Sequence, residues 1–371
     1  MNRTPILHSR GFTLIELMVA MTISLILLAG MASLFVQNSR TQIEIEASNR
    51  KIENGRYGVQ TLAGDIRNAG YFGEFDPGRL ISPVTMPDPC ATDLTLVRAA
   101  LPVPVQGLDN ATATQLSCIS DLKVGTDVLV IRRVETCLPG ELSCDPVSEG
   151  GAFFQASLCF DNPDELASAD PLKSFDLDTR ESGLTRHGRD CSATNAGTLV
   201  PVRRYLTHIY FVANNDNDND GIPTLKRAVL GTNAGGDLAF TIQPLVEGIE
   251  NLQLEYGLDR DDPAIAATVG PAAPLFADGT ADLYNSNPAT ANDCGDELCA
   301  VANWRSVVAV KLNLLARNIA PSIGYVDSNS YVLGNLASGR PNTVAAANDR
   351  YKRNVFQSLV AMPNLAGRRV K

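Results

Sequence analysis

Gly11-Phe12-Thr13-Leu14-Ile15-Glu16-Leu17-Met18-Val19-Ala20 opens an apolar run that continues to Val36. Glu16 is the sole charged residue between Phe12 and Val36. A helix of about 25 residues spans roughly 37 Å, enough to cross a hydrocarbon core of about 30 Å. Arg3, His8 and Arg10 precede the run. Basic residues stay on the cytoplasmic side, so the reading sends everything after Val36 outward. An ordinary secretory signal has an apolar core of about 7–15 residues followed by its cut site. Here the core is longer, and the small residue suited to cleavage, Gly11, comes before it. An acid at the centre of a membrane helix costs about 2.5–3.5 kcal/mol, so Glu16 is expected to have a partner or a task.

Beyond Val36 the composition turns polar, but apolar residues keep helical spacing. Ile45, Ile52, Val59, Leu62 and Ile66 lay a stripe along one face. No proline occurs between Pro5 and Pro77. The pattern predicts one helix from about residue 13 to 68, its outer half packed on a globular domain. Gly55, Gly58 and Gly64 each weaken that helix by up to about 1 kcal/mol relative to Ala. Gly70 and Pro77 mark its end.

The basic leader, Gly11-Phe12 and Glu16 together resemble the class III signal of type IV pilins and type II secretion pseudopilins. Further stretches resemble the PilW family of minor pilins. They are Glu53–Gly58, Asp65–Arg67, Ala69–Gly73, Glu250–Gly257 and Trp304–Arg317. Many major pilins carry a proline midway along the membrane segment; this chain has Gly30 and Ser33 there, which suits a minor pilin or a pseudopilin.

The resemblance implies that a prepilin peptidase/methyltransferase cuts after Gly11 and methylates the new N-terminal Phe12. Glu16 would then neutralise the N-terminal ammonium of a neighbouring subunit and set axial register. It also implies the location: the inner membrane, with one span and a periplasmic domain, and then the pilus. Before assembly the contacts would be membrane lipid and the inner-membrane assembly platform. Afterwards the partners would be other minor pilins and the major pilin. Minor pilins of this kind form a complex that primes filament assembly and ends near the tip. A type II pseudopilin of the J class shares the plan and stands as the alternative.

Net charge is −10, and losing Arg3 and Arg10 with the leader makes it more negative. That balance argues against nucleic acid, whose phosphates call for clustered Lys and Arg. Arg132-Arg133, Arg203-Arg204 and Arg368-Arg369 are isolated doublets, read as solvated surface. Eight cysteines all lie outside the helix: Cys90, Cys118, Cys137, Cys144, Cys159, Cys191, Cys294 and Cys299. An even count in an exported domain suggests disulfides. Sequential pairing closes the shortest loops and avoids threading, and each bond typically adds about 2–4 kcal/mol. No C-x2-C spacing supports zinc.

The fold class expected is α+β. Residues 1–11 form a leader, 12–36 the membrane or filament-core helix, 37–70 its amphipathic half, and 71–371 a β-rich disulfide-containing domain. Strands are expected at Leu94–Arg98, Val128–Val134, Tyr205–Ala213, Pro223–Leu230, Ile249–Leu258, Val307–Ala316 and Val355–Met362. Loop-rich insertions are expected near 135–198 and 262–300, the second clipped by Cys294–Cys299.

Between two of these strands lies Asn214-Asn215-Asp216-Asn217-Asp218-Asn219-Asp220-Gly221. Asp216, Asp218 and Asp220 alternate ahead of a glycine, as in the first half of a calcium loop. The carbonyl of Ile222 and Thr224 would complete a set of Ca2+ ligands. Arg227 stands where such a loop has a bidentate Glu. The other reading is a plain hairpin tip, where Asn, Asp and Gly dominate. A calcium-dependent adhesin or binding module on the filament follows from the first reading. No G-x-S-x-G, H-E-x-x-H or P-loop lysine motif occurs, and Arg186–Asp190 reads as a polar loop, so no enzyme is expected.

Overall fold

The computed structural model describes residues 13–142, 144–147, 150–192, 194–260 and 278–369. The leader, Gly11, Phe12 and the first part of the 262–300 insertion lie outside them. The chain divides into two compact units, residues 1–50 and 51–371. Helix α1 runs Leu14–Asn68 and contributes to both. From Thr13 to Ile43 every residue of the first unit is exposed.

In the second unit α1 buries Lys51, Gly55, Gly58, Leu62, Ala63, Asp65 and Ile66. The buried face is therefore set by glycines as much as by the expected stripe. Ile45 is exposed, and Ile52 and Val59 are half-buried. A Cβ on Gly58 would sit 3.2 Å from Leu314, and one on Gly55 would overlap the ring of Phe356. Close approach of sheet to helix is what the two glycines contribute, offsetting their weak helix propensity.

After α1 comes a short helix, α2 (Leu94–Ala100), and then β1 (Val105–Leu108) and β2 (Val128–Val134). Next are β3 (Ala152–Ala156), β4 (Phe175–Asp178), β5 (Arg203–Ala213), β6 (Thr224–Thr232) and β7 (Leu238–Glu247). These strands form one sheet in the order β1-β2-β5-β3-β4, with β6 also pairing β5 and β7 pairing β6. A second sheet contains β8 (Ile249–Leu258), β9 (Leu283–Asn285), β10 (Val307–Arg317) and β13 (Arg353–Ala361). Its order is β13-β10-β8-β9, all antiparallel. The hairpin β11 (Tyr331–Asn335) and β12 (Pro341–Val344) stands apart as a third, small sheet. Helix α3 (Glu297–Arg305) precedes β10, and α4 (Pro363–Arg369) follows β13.

Three expectations need correction. Leu94–Arg98 is helix, because Asp93 accepts hydrogen bonds from the N–H groups of Thr95 and Leu96 and caps it. The 135–198 insertion is not simply loop. It supplies β3 and β4, whose Phe154 and Phe175 stack at 5.5 Å in an aromatic cluster with Phe72 and Phe75. The described part of the 262–300 insertion is not simply loop either. Ala291 is buried, and Glu297–Arg305 is helical and delivers Trp304 into the core, 4.6 Å from Tyr256.

The main core lies where α1 meets both sheets. Leu62 and Ile66 pack with Leu129, Tyr210 and Leu225 from the first sheet and with Leu252, Val310 and Leu314 from the second. Each such side chain contributes about 1.5–3 kcal/mol on burial. The cysteines pair 90–118, 137–144, 159–191 and 294–299.

Candidate assembly site

Thr13 and Glu16 form a capping box at the start of α1. The Thr13 N–H and Oγ1 both donate to Glu16 Oε2 at 2.9 Å, and the Glu16 N–H reaches back to Thr13 Oγ1 at 3.3 Å. The spacing Thr-x-x-Glu is the sequence signal for this arrangement. It was legible, but the apolar context drew attention to the charge alone. The Glu16 carboxylate thus has local donors beside an otherwise uncharged and wholly exposed apolar surface. This helix is long and apolar enough to cross a membrane.

Where α1 enters the second unit, Asp65 is buried and holds three groups. Arg133 Nε donates to Oδ1 at 2.6 Å, while His208 Nδ1 at 2.6 Å and Tyr210 Oη at 2.9 Å meet Oδ2. Arg133 stands on β2, and His208 and Tyr210 alternate on β5, so two neighbouring strands aim at one helical residue. Burial alone would raise the Asp65 pKa. The His208 imidazole and the Arg133 guanidinium outweigh it and hold the carboxyl far below the usual range. Arg133, one half of a doublet expected to be solvated, is therefore a structural ion-pair residue, and Arg132 is wholly buried, donating to Val103 O and Gln106 Oε1.

The acidic loop is organised around Asp220. Its carboxylate accepts from the backbone N–H groups of Asp216, Asn217 and Ile222. Gly221 donates to Asn215 Oδ1, and Thr224 Oγ1 donates to the Ile222 carbonyl. Those bonds use the expected ligand atoms of Asp220 and Ile222 to build side-chain-capped turns. Among the described residues, the group of three His, Cys or acidic atoms within 4.8 Å of one another is Glu135, Cys137 and Cys144, not the three loop aspartates. The two sulfurs in that group are bonded to each other.

His187, in the expected polar loop, pairs through Nδ1 with Glu165 at 2.7 Å, and Ser157 Oγ donates to the same carboxylate at 2.5 Å. Serine and histidine both end on the acid. A nucleophile chain would instead run serine to histidine to acid. Burial works against the charged Glu165, but the His187 N–H, Ser157 and the imidazole lower its pKa. The cluster is a fastening within the 135–198 segment.

A profile of the type IV pilus-assembly protein W family matches residues 209–364, from within β5 through β13. The prokaryotic N-terminal methylation motif matches residues 6–32, enclosing Gly11, Phe12 and Glu16. A "type IV-like pilin" of Thermus thermophilus is similar in structure at TM-score 0.32 and 12% identity, covering 85% of this chain and 97% of that one. No curated protein gives a match. The long apolar N-terminal helix and the β-rich, disulfide-bonded domain give an α+β, pilin-like fold. The two profile matches make the chain similar to PilW-like type IV minor pilins. The matched segment contains Glu250–Gly257 and Trp304–Arg317; Glu53–Gly73 lies outside it.

Proposed function

We propose that this protein joins other minor pilins in a complex that starts type IV pilus assembly and comes to lie near the filament tip. The observation that carries the reading is Glu16, a lone carboxylate in an exposed apolar helix immediately after a Gly-Phe junction and a basic leader. Cleavage after Gly11 would create an ammonium at Phe12, at the start of an apolar segment. In a membrane or filament, that charge and the Glu16 carboxylate of a neighbour stabilise each other, and removing one strands the other. The capping box keeps Glu16 hydrogen-bonded until then, so the acid trades Thr13 for a neighbouring chain on assembly.

The protein acts as a structural subunit, anchored by one inner-membrane span before it enters the pilus. Its partners are the prepilin peptidase, the assembly platform, the major pilin and other minor pilins. The test is a count of surface filaments by electron microscopy in a strain lacking the gene. Loss of pili, restored by the wild-type gene and not by Glu16→Ala, supports the reading. Normal pili with impaired protein export would assign the chain to a type II secretion pseudopilus instead.

A further inference from the structure

We propose that the edge of β13 with which no described strand pairs receives an added strand from a neighbouring pilin subunit, extending the β13-β10-β8-β9 sheet across a subunit boundary. The proposal rests on the minor-pilin reading above.

An unpaired strand edge is a template for another chain, and proteins ordinarily protect it by shortness, proline, bulges or charge. Among the described residues, the other edges of the two larger sheets are protected. β1, β4 and β9 are at most four residues long. β7 is long, but it carries Pro244, and its pairing with β6 has a register shift. β13 is different. It pairs with β10 over nine consecutive residues without a shift. Between Asn354 and Ala361 it has no proline and no charged residue.

The direction of its backbone groups can be read from the ladder. Met362 N–H donates to Val308 O just beyond one end of the pairing, and Asn318 N–H donates to Lys352 O beyond the other. In an antiparallel ladder the hydrogen-bonded pairs alternate. Val360, Ser358, Phe356 and Asn354 therefore turn their N–H and C=O toward β10. Those of Val355, Gln357, Leu359 and Ala361 turn to the open side. That is the row of donors and acceptors an extended segment needs.

The same alternation supplies specificity. Gln357 and Leu359 rise from the sheet face opposite α1 and border a groove of about 440 Å³ beneath the β11–β12 hairpin. Leu359 and Val332 are 59% and 51% exposed, so the rim of the groove is apolar. The charges in it, Glu255 and Lys311, lie 3.9 Å apart and face each other. An incoming strand would hydrogen-bond along the edge and set an uncharged apolar side chain into the groove, as in strand addition generally.

The occupant follows from how the chain is built. Its exposed apolar helix commits it to packing beside other helices of the same kind, which holds β-rich domains as neighbours. Subunits in an open helical filament meet through heterologous contacts, so β13 faces a different strand and not a second β13.

The test uses the full-length chain expressed in its own membrane. A photo-crosslinking residue is placed at Leu359, with Thr241 on the protected β7 edge as control. Cross-linking from 359, and not from 241, to a strand of another protein with a prepilin-type N-terminus is the expected result. Leu359→Pro removes an outward N–H that β10 does not use, and Leu359→Lys adds an edge charge. Both should lose co-purification with pilin subunits while circular dichroism and the thermal midpoint stay at wild-type values. Retained co-purification of either folded variant, or cross-linking only to β13 of a second copy, overturns the proposal. If wild type itself fails to co-purify with pilin subunits, the minor-pilin reading fails, and the edge proposal fails with it.

Discussion

Gly55 of α1 lies directly against the ring of Phe356 on β13, with no room between them for a Cβ. Gly64, on the same helix, has nothing within 4 Å of where its Cβ would be. The two glycines should respond oppositely to substitution. Gly55→Leu forces Phe356 and the sheet away and should destabilise the domain by about 1–3 kcal/mol. Gly64→Ala should stabilise it by up to about 1 kcal/mol through helix propensity. Urea unfolding of the full chain in detergent checks both. Equal effects at the two positions would contradict the packing described.

Asp65 connects the helix to β2 and β5 through Arg133, His208 and Tyr210. Asp65→Asn keeps the shape but leaves the half-buried Arg133 beside a neutral amide. Removing one partner from a fully buried ion pair costs about 3–5 kcal/mol, and less is expected here because Arg133 is partly solvated. The same variant should lose the acid sensitivity that Asp65 confers. An unfolding midpoint within a degree of wild type would show that the cluster contributes nothing.

Two sets of acids predict a stability maximum at mildly acidic pH. Arg353 binds Glu250, Asp327 and Asp349. Hydrogen bonding to that guanidinium lowers the Asp349 pKa to about 2, and Glu250 and Asp327 are also lowered despite burial. A depressed folded pKa gives stability that is present above the unfolded value, about 3.9 for Asp, and is lost as pH falls through the folded one. Asp127 works the other way. Burial pushes it to about 8, against hydrogen bonds from the Asn110 and Leu254 N–H groups. Its contribution is full below about pH 3.9 and is lost as pH rises through about 8. Thermal midpoints from pH 2 to 9 should therefore fall at both ends. A midpoint flat between pH 5 and 9 would remove the Asp127 part.

Processing gives a separate expectation. Gly11→Asp should leave the leader attached, and Glu16→Ala should be cleaved normally yet enter filaments poorly. N-terminal sequencing of the membrane-bound chain and immunoblots of sheared filaments read the two outcomes. An unchanged mature N-terminus in Gly11→Asp moves the cut elsewhere.

The acidic loop separates its two readings by which aspartate matters. Asp220 caps three backbone N–H groups, so Asp220→Ala should lower the thermal midpoint with or without calcium. Asp218→Ala should leave the midpoint unchanged. If calorimetry detects calcium binding that Asp218→Ala abolishes, the loop is a cation site as well as a turn.

The long helix was readable from its unbroken apolar run, although its first part is exposed, and β2, β5, β6, β8 and β10 because each carries apolar or β-branched residues into the core; β13 was readable from its apolar and β-branched composition, although only Arg353 and Val360 of it are buried. β7 was missed because most of its residues stay exposed or half-buried, which leaves little apolar signal. β3 and β4 are only a few residues long and sit inside a cysteine-rich stretch that resembles loop. Leu94–Arg98 has strand composition, but one capping aspartate just before it decides the conformation. Asp65 was visible as a residue, yet nothing local announces that Arg133, His208 and Tyr210 converge on it. That information lies in strand register.

The meeting of Gly55 with Phe356 also orders events in time. A chain made from its N-terminus presents the helix first, and the strand that covers its glycine face is made much later. The helix face at Gly55 therefore waits uncovered until β13 has been made. A chain that stalls before Arg353 would lack the sheet's outer strand, the Arg353 ion cluster and the cover over Gly55 together. Completion of synthesis is thus coupled to closure of the domain, and unfinished chains would be open to proteolysis.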